Sequence, residues 1–125
     1  MSDPRPQSPN MQNYRPQLTS VMSFGHRLSG LALGFCAFGL AAWLVAGAAG
    51  PEAFEFAQAA LHSIAARVIL VLASWAGFYH LCNGIRHLIW DSVCAFELRS
   101  IYVGGWAVIA ASLILTAALW TWVVT

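Results

Sequence analysis

Two histidines, an arginine and an aspartate fall within Phe78-Tyr79-His80-Leu81-Cys82-Asn83-Gly84-Ile85-Arg86-His87-Leu88-Ile89-Trp90-Asp91, a stretch otherwise apolar enough to lie in lipid. A charged group at the centre of a bilayer costs about 2.5–3.5 kcal/mol or more, so each such residue is a functional candidate by default. On a helix, His80, Gly84, His87 and Asp91 follow the spacing i, i+4, i+7, i+11 and share one face. That face carries an imidazole able to hold a metal, a gap one turn away, and polar groups running toward one helix end.

A second polar group precedes the first apolar segment. Ser23, Arg27 and Gly30 are spaced i, i+4, i+7, with His26 beside them. Arg27 offers a permanently charged fork of donors for carboxylates or a carbonyl oxygen, and Ser23 a compact hydroxyl. Donors of this kind near a membrane surface suit a quinone, whose carbonyls need hydrogen bonds and a proton route to water. Taken alone, Arg27 is explained as well by snorkelling to lipid headgroups. Two polar clusters on separate segments but at one membrane side weaken that explanation.

The elements that must position these residues follow from composition. In 125 residues, 59% are hydrophobic and 9% charged, against roughly 25% charged in soluble domains. The chain is expected to be all-α, an integral membrane protein with three transmembrane helices and a polar N-terminal segment, forming a single membrane-anchor domain. The apolar runs 28–49, 64–90 and 101–124 place the spans at about 24–49, 64–91 and 101–124, each near or above the ~20 residues a crossing needs. Residues 1–20, with Pro4, Pro6, Pro9 and Pro16, form an extended arm outside the membrane. The connection from Gly50 to about Ser63 is expected to be a loop on the far side, with His62 a solvated residue. A signal peptide over Leu28–Val45 is disfavoured, because the run exceeds the ~7–15 residues of a signal core and cleavage would discard Ser23, His26 and Arg27.

Net charge is +1, lysine is absent and no basic cluster exists, which excludes nucleic acid as a partner. Cys36, Cys82 and Cys94 show no CxxC or CxxCH spacing, so covalent haem attachment is excluded and small apolar filler accounts for them. Arg5, Arg15 and Arg27 precede the first span and Arg86 and Arg99 surround the second connection, with Arg67 alone at the opposite surface. The N-terminus is therefore expected on the cytoplasmic or matrix side. The six tryptophans fall mostly near span ends, as interfacial aromatics do. Gly30 and Gly34 form a small-xxx-small pair suited to close helix approach.

Depth separates the roles. With a boundary near Ile89–Asp91, His80 lies about ten residues, roughly 15 Å, inside. A buried hydrogen-bonding histidine is one reading. The other is an axial ligand to haem iron, with Gly84 leaving room for a flat macrocycle. His26 and His87 lie nearer the boundary, so the second ligand of a b-type haem comes from His26 reaching inward or from another subunit. Tyr79, about 100° around the helix from His80, is expected to face lipid or a partner. Arg86, His87 and Asp91 mark the cytoplasmic edge, Asp91 either balancing Arg86 or orienting an imidazole.

At these residues the chain resembles the cytochrome b membrane-anchor subunit of succinate dehydrogenase, also called succinate:quinone oxidoreductase or complex II. The match is carried by Arg5-Pro6-Gln7-Ser8-Pro9 with Tyr14-Arg15-Pro16, by Ser23-Phe24-Gly25-His26-Arg27-Leu28-Ser29-Gly30, and by His80-Leu81-Cys82-Asn83-Gly84-Ile85-Arg86-His87 ending at Asp91. The resemblance implies His80 as axial ligand to haem b, with the other ligand from a second membrane-anchor subunit. It implies Ser23 and Arg27 at a ubiquinone site shared with the iron–sulfur subunit, His26 and Arg27 near the haem propionates, and His87 near the haem edge. A flavoprotein subunit would oxidise succinate in the tricarboxylic acid cycle, and the chain would not be catalytic alone. A bacterial inner membrane or a mitochondrial inner membrane is the implied location. A haem-free structural anchor and a small homodimeric b-type cytochrome are the alternatives.

Overall fold

The computed structural model describes residues 14–125, so most of the expected N-terminal arm lies outside the described residues. Four helices follow in order: α1 (Leu18–Ala49), α2 (Pro51–Leu61), α3 (Ile64–Asp91) and α4 (Leu98–Val124). Among the described residues there is no strand. α1, α3 and α4, of 32, 28 and 27 residues, are long and apolar enough to cross a membrane. At about 1.5 Å per residue, each exceeds the ~30 Å hydrocarbon thickness.

α1 begins six residues ahead of the expected span, at Leu18. Thr19 and Ser20 interrupt the hydropathy there, but Leu18 and Met22 pack against Gly105 of α4, and that contact continues the helix. The connection expected as a loop is α2, an 11-residue helix. Gly50 adopts φ 126°, which a side chain would strain, and Pro51 supplies a preset first helical residue. The chain thus reverses at once, and α2 folds back along the end of α1. Phe54 packs on the Trp43 ring and against Gly47, while Trp43 Nε1 donates to Gln58 Oε1 at 3.3 Å. Ser63 then caps α3, accepting from the Ala66 amide at 3.2 Å.

α1 and α3 run antiparallel. The pairs Met22 with Arg86, His26 with Gly84, Gly30 with His80 and Leu33 with Gly77 descend in step along the interface. α3 and α4 are also antiparallel, joined by Arg86 to Ile101 near one end and by Trp120 Nε1 donating to Ser74 Oγ at 3.4 Å near the other. Gly104 and Gly105, adjacent in α4, serve two interfaces: Gly104 lies against the Arg86 side chain and Gly105 against Leu18 and Met22.

The interior is polar. Ser29, Asn83, Arg86, Ser112 and Thr116 are buried, with Met22 and Val108 the buried hydrophobic residues among those described, while leucines, valines and phenylalanines cover the outside. Lipid tails are as apolar as leucine, so close backbone approach and internal hydrogen bonds hold such helices together. Ser112 and Thr116 donate within α4, to the carbonyls of Ile109 and Ser112, which satisfies their hydroxyls without a neighbouring helix.

The approach at Gly105 is tight: a Cβ there would lie 2.9 Å from Leu18 Cδ2 and 3.0 Å from Met22 Sδ. Both are ends of flexible side chains, so Gly105→Ala should be tolerated, whereas Gly105→Leu should cost about 1–3 kcal/mol by forcing α1 from α4. Denaturation of the detergent-solubilised protein measures this, and equal midpoints for the two variants would contradict the packing.

Candidate functional site

Antiparallel packing of α1 on α3 brings three imidazoles together. His26 and His80 stack with ring centroids 3.9 Å apart and planes 11° from parallel, and His87 lies 5.3 Å from His26. His80 Nδ1 is 3.0 Å from the carbonyl oxygen of His26 and 3.1 Å from Ser29 Oγ. A carbonyl oxygen only accepts, so Nδ1 carries the proton and Nε2 the lone pair. Among the described residues Nε2 has no hydrogen-bond partner, and it is not a sealed atom either. His26 Nδ1, in contrast, is buried and without a partner among the described residues. An orphaned buried nitrogen beside a lone pair open to the outside fits a group arriving from beyond this chain.

The glycines of α1 and α3 lie beside the histidines. Gly84 is one turn beyond His80 and therefore meets the next α1 residue, His26, whose Cε1 would be 3.8 Å from an added Cβ. That is an ordinary contact and the one side-chain atom within 4 Å of the position, so Gly84 leaves space between His26 and the α3 backbone. Gly30 is the residue in close contact with His80, since a Cβ there would lie 2.8 Å from Cε1. Gly34, expected to act with Gly30, has open space where its side chain would be. The Gly30–Gly34 pair is thus split between an internal contact and the outer surface.

Arg86 points into the bundle, in the last turns of α3. It is 6% exposed, donates through Nη2 to the Ile101 carbonyl at 2.9 Å, and lies 4.0 Å over the Trp90 ring. Nη1 reaches Asn83 Oδ1 at 3.5 Å and Met22 Sδ at 3.9 Å. None of these partners is an anion, and Asp91, expected either to balance Arg86 or to orient an imidazole, is exposed at the end of α3. Asn83, wholly buried, lies with Nδ2 3.5 Å from His87 Nε2, so one amide joins the arginine to the histidine group. Tyr79 also faces inward, donating to the Met22 carbonyl at 3.0 Å across the α1–α3 interface. Gly25, with no side chain to block the ring, permits that approach.

Ser23 is half-buried and Arg27 exposed. Neither side chain bonds to the histidine cluster, and both lie outside the apolar cleft of about 450 Å³ that Met22, Ser29, Trp75 and Tyr79 help to line. The fold therefore gathers His26, His80, Gly84 and His87, and leaves Ser23 and Arg27 on an adjoining open stripe. Ser29, Asn83, Arg86 and Tyr79 join the site without having been singled out by spacing. Spacing held a partial signal, since Asn83 precedes Arg86 and His87 by three and four residues and Ser29 follows His26 by three.

Comparison with known proteins gives the same direction. Residues 1–119 match the model of the succinate dehydrogenase/fumarate reductase transmembrane subunit. The chain is similar to the succinate dehydrogenase cytochrome b556 subunit of Rickettsia felis, 40% identical over 93% of this chain and 90% of that one. It is also similar to the cytochrome b556 subunit of Paracoccus denitrificans, 36% identical over 89% and 85% of the two chains. The mitochondrial cytochrome B subunit of Schizosaccharomyces pombe is 34% identical over 88% of this chain and 64% of the relative. With nearly its whole length matched and its three spans in place, the chain belongs to the succinate dehydrogenase/fumarate reductase transmembrane subunit family.

Proposed function

We propose that the chain is the haem b-binding membrane anchor of a succinate:quinone oxidoreductase, contributing to ubiquinone reduction and docking the flavoprotein and iron–sulfur subunits. The observation that carries this is the state of His80: its Nδ1 proton is given to the His26 carbonyl, and Nε2 is left as a lone pair without a partner among the described residues. Histidine ligands to metals characteristically donate their other ring N–H to such an oxygen.

Among the described residues no group of three or more His, Cys, Asp or Glu is arranged to hold a metal ion. His80 would then be the single protein ligand given by this chain, with the opposite one coming from a second membrane-anchor subunit. A bound haem supplies one-electron storage within the membrane. Around it this chain's residues bind and orient. His26, held against Gly84, and His87, held by Asn83, would line the haem edge. His26 and Arg27 would lie near the propionates, with Arg27 exposed and able to pair with them. Ser23 and Arg27 would donate to a quinone carbonyl, and their open placement on α1 leaves the rest of that site to the iron–sulfur subunit. Positive residues concentrated before α1 and around the α3–α4 connection support an N-terminus on the cytoplasmic or matrix side of a bacterial or mitochondrial inner membrane.

A reduced-minus-oxidised spectrum of the co-purified complex tests the haem assignment. The wild type should show a b-type band at stoichiometric level, and His80→Ala should lose most of it. A complex without that band would leave a haem-free anchor in which His80 is a buried hydrogen-bonding residue. Arg27→Ala should lower quinone reduction by about 10-fold or more, on the scale of a lost charged hydrogen bond of ~1.5–3 kcal/mol, while succinate oxidation with a soluble dye is retained; unchanged quinone turnover would remove Arg27 from the site. In a bacterial host, alkaline phosphatase fused after Thr125 should be active, and inactivity would reverse the topology.

A further inference from the structure

Ser29 is buried at 8% exposure on a helix that mostly faces outward, and its hydroxyl closes a triangle with the two groups that define the histidine site. Ser29 Oγ is 2.8 Å from the His26 carbonyl oxygen and 3.1 Å from His80 Nδ1, and that nitrogen is 3.0 Å from the same carbonyl. One arrangement of protons satisfies all three edges. The carbonyl accepts twice, the serine hydroxyl donates its hydrogen to the carbonyl, and the Nδ1 proton is shared between the carbonyl and the serine oxygen. The other tautomer would set the Nδ1 lone pair against the carbonyl lone pairs. Beside Nδ1 the ring also abuts α1 at Gly30, where an added Cβ would come within 2.8 Å of Cε1.

We infer that Ser29, together with the His26 carbonyl, is a positioning residue for His80, fixing the tautomer and plane of the imidazole and adding a second acceptor to its Nδ1 proton. The inference rests on the assignment of His80 as a haem ligand. Acceptors on the far N–H make an imidazole a more basic ligand and hold its orientation. A more basic ligand favours ferric over ferrous iron, so the serine oxygen lowers the midpoint potential. The backbone carbonyl alone retains the tautomer, which assigns to Ser29 the tuning of potential and ring plane.

Redox titration and electron paramagnetic resonance of the co-purified complex test this with Ser29→Ala, Ser29→Cys and Ser29→Thr. Cysteine preserves the volume but accepts weakly, and threonine keeps the hydroxyl. In the alanine and cysteine variants the haem midpoint potential should rise, the low-field g value should move, and haem affinity should fall about 10-fold. The threonine variant should stay near wild type in all three. If the alanine variant does not assemble, the near-isosteric cysteine variant decides. A cysteine variant with unchanged or lowered potential and an unchanged g value overturns the role of Ser29 while leaving the haem assignment intact. A wild-type complex devoid of haem overturns the assignment itself, and this inference with it.

Discussion

A guanidinium enclosed by three apolar helices must find every partner inside the bundle, and Arg86 imposes that condition on the whole structure. Its cost at membrane depth is several kcal/mol if unmet, whereas a hydrogen bond between membrane helices contributes about 0.6–2 kcal/mol. The bonds to Ile101, Asn83 and Met22 and the contact with Trp90 therefore offset a penalty more than they add stability. What they add is register. α4 must bring the Ile101 carbonyl to Nη2, with Gly104 lying in ordinary contact range of the arginine side chain. α1 must bring Met22, which also fills the space against Gly105.

The same register delivers the histidine site. With Met22 opposite Arg86, the antiparallel α1–α3 pairing sets His26 at Gly84 and Gly30 at His80, one and two turns farther along. The His26 carbonyl then meets His80 Nδ1, and the ring nitrogen left over turns away from the chain's own donors. The Arg86 contacts near one end of the bundle and the histidine cluster farther in are thus two levels of one helix pairing. The polar atoms inside are either paired, as in Asn83, or orphaned, as in His26 Nδ1.

Much of this was legible from residue types. Three apolar runs longer than a bilayer is thick leave little alternative to three helices, and spacing alone put His80, Gly84 and His87 on one face. Other parts were not legible. α2 is too short to span, and its helix depends on the Gly50 reversal and on Phe54 finding Trp43. The start of α1 was hidden by Thr19 and Ser20, whose polarity matters less than the packing of Leu18. The inward aim of Arg86 was not legible, because hydropathy counts its charge and ignores the carbonyl that receives it.

Sequence by itself determined the solvent, the secondary structure of the long segments and the identity of the residues able to do chemistry, because these depend on composition and on the 3.6-residue helix repeat. Tertiary structure alone decided which way those residues face and what they touch. The periodicity of one helix defines a face but not the neighbour set against it. That is why Gly84 lies against His26 and Gly30 against His80, and why the His26 carbonyl, with Ser29 beside it, meets Nδ1 of His80.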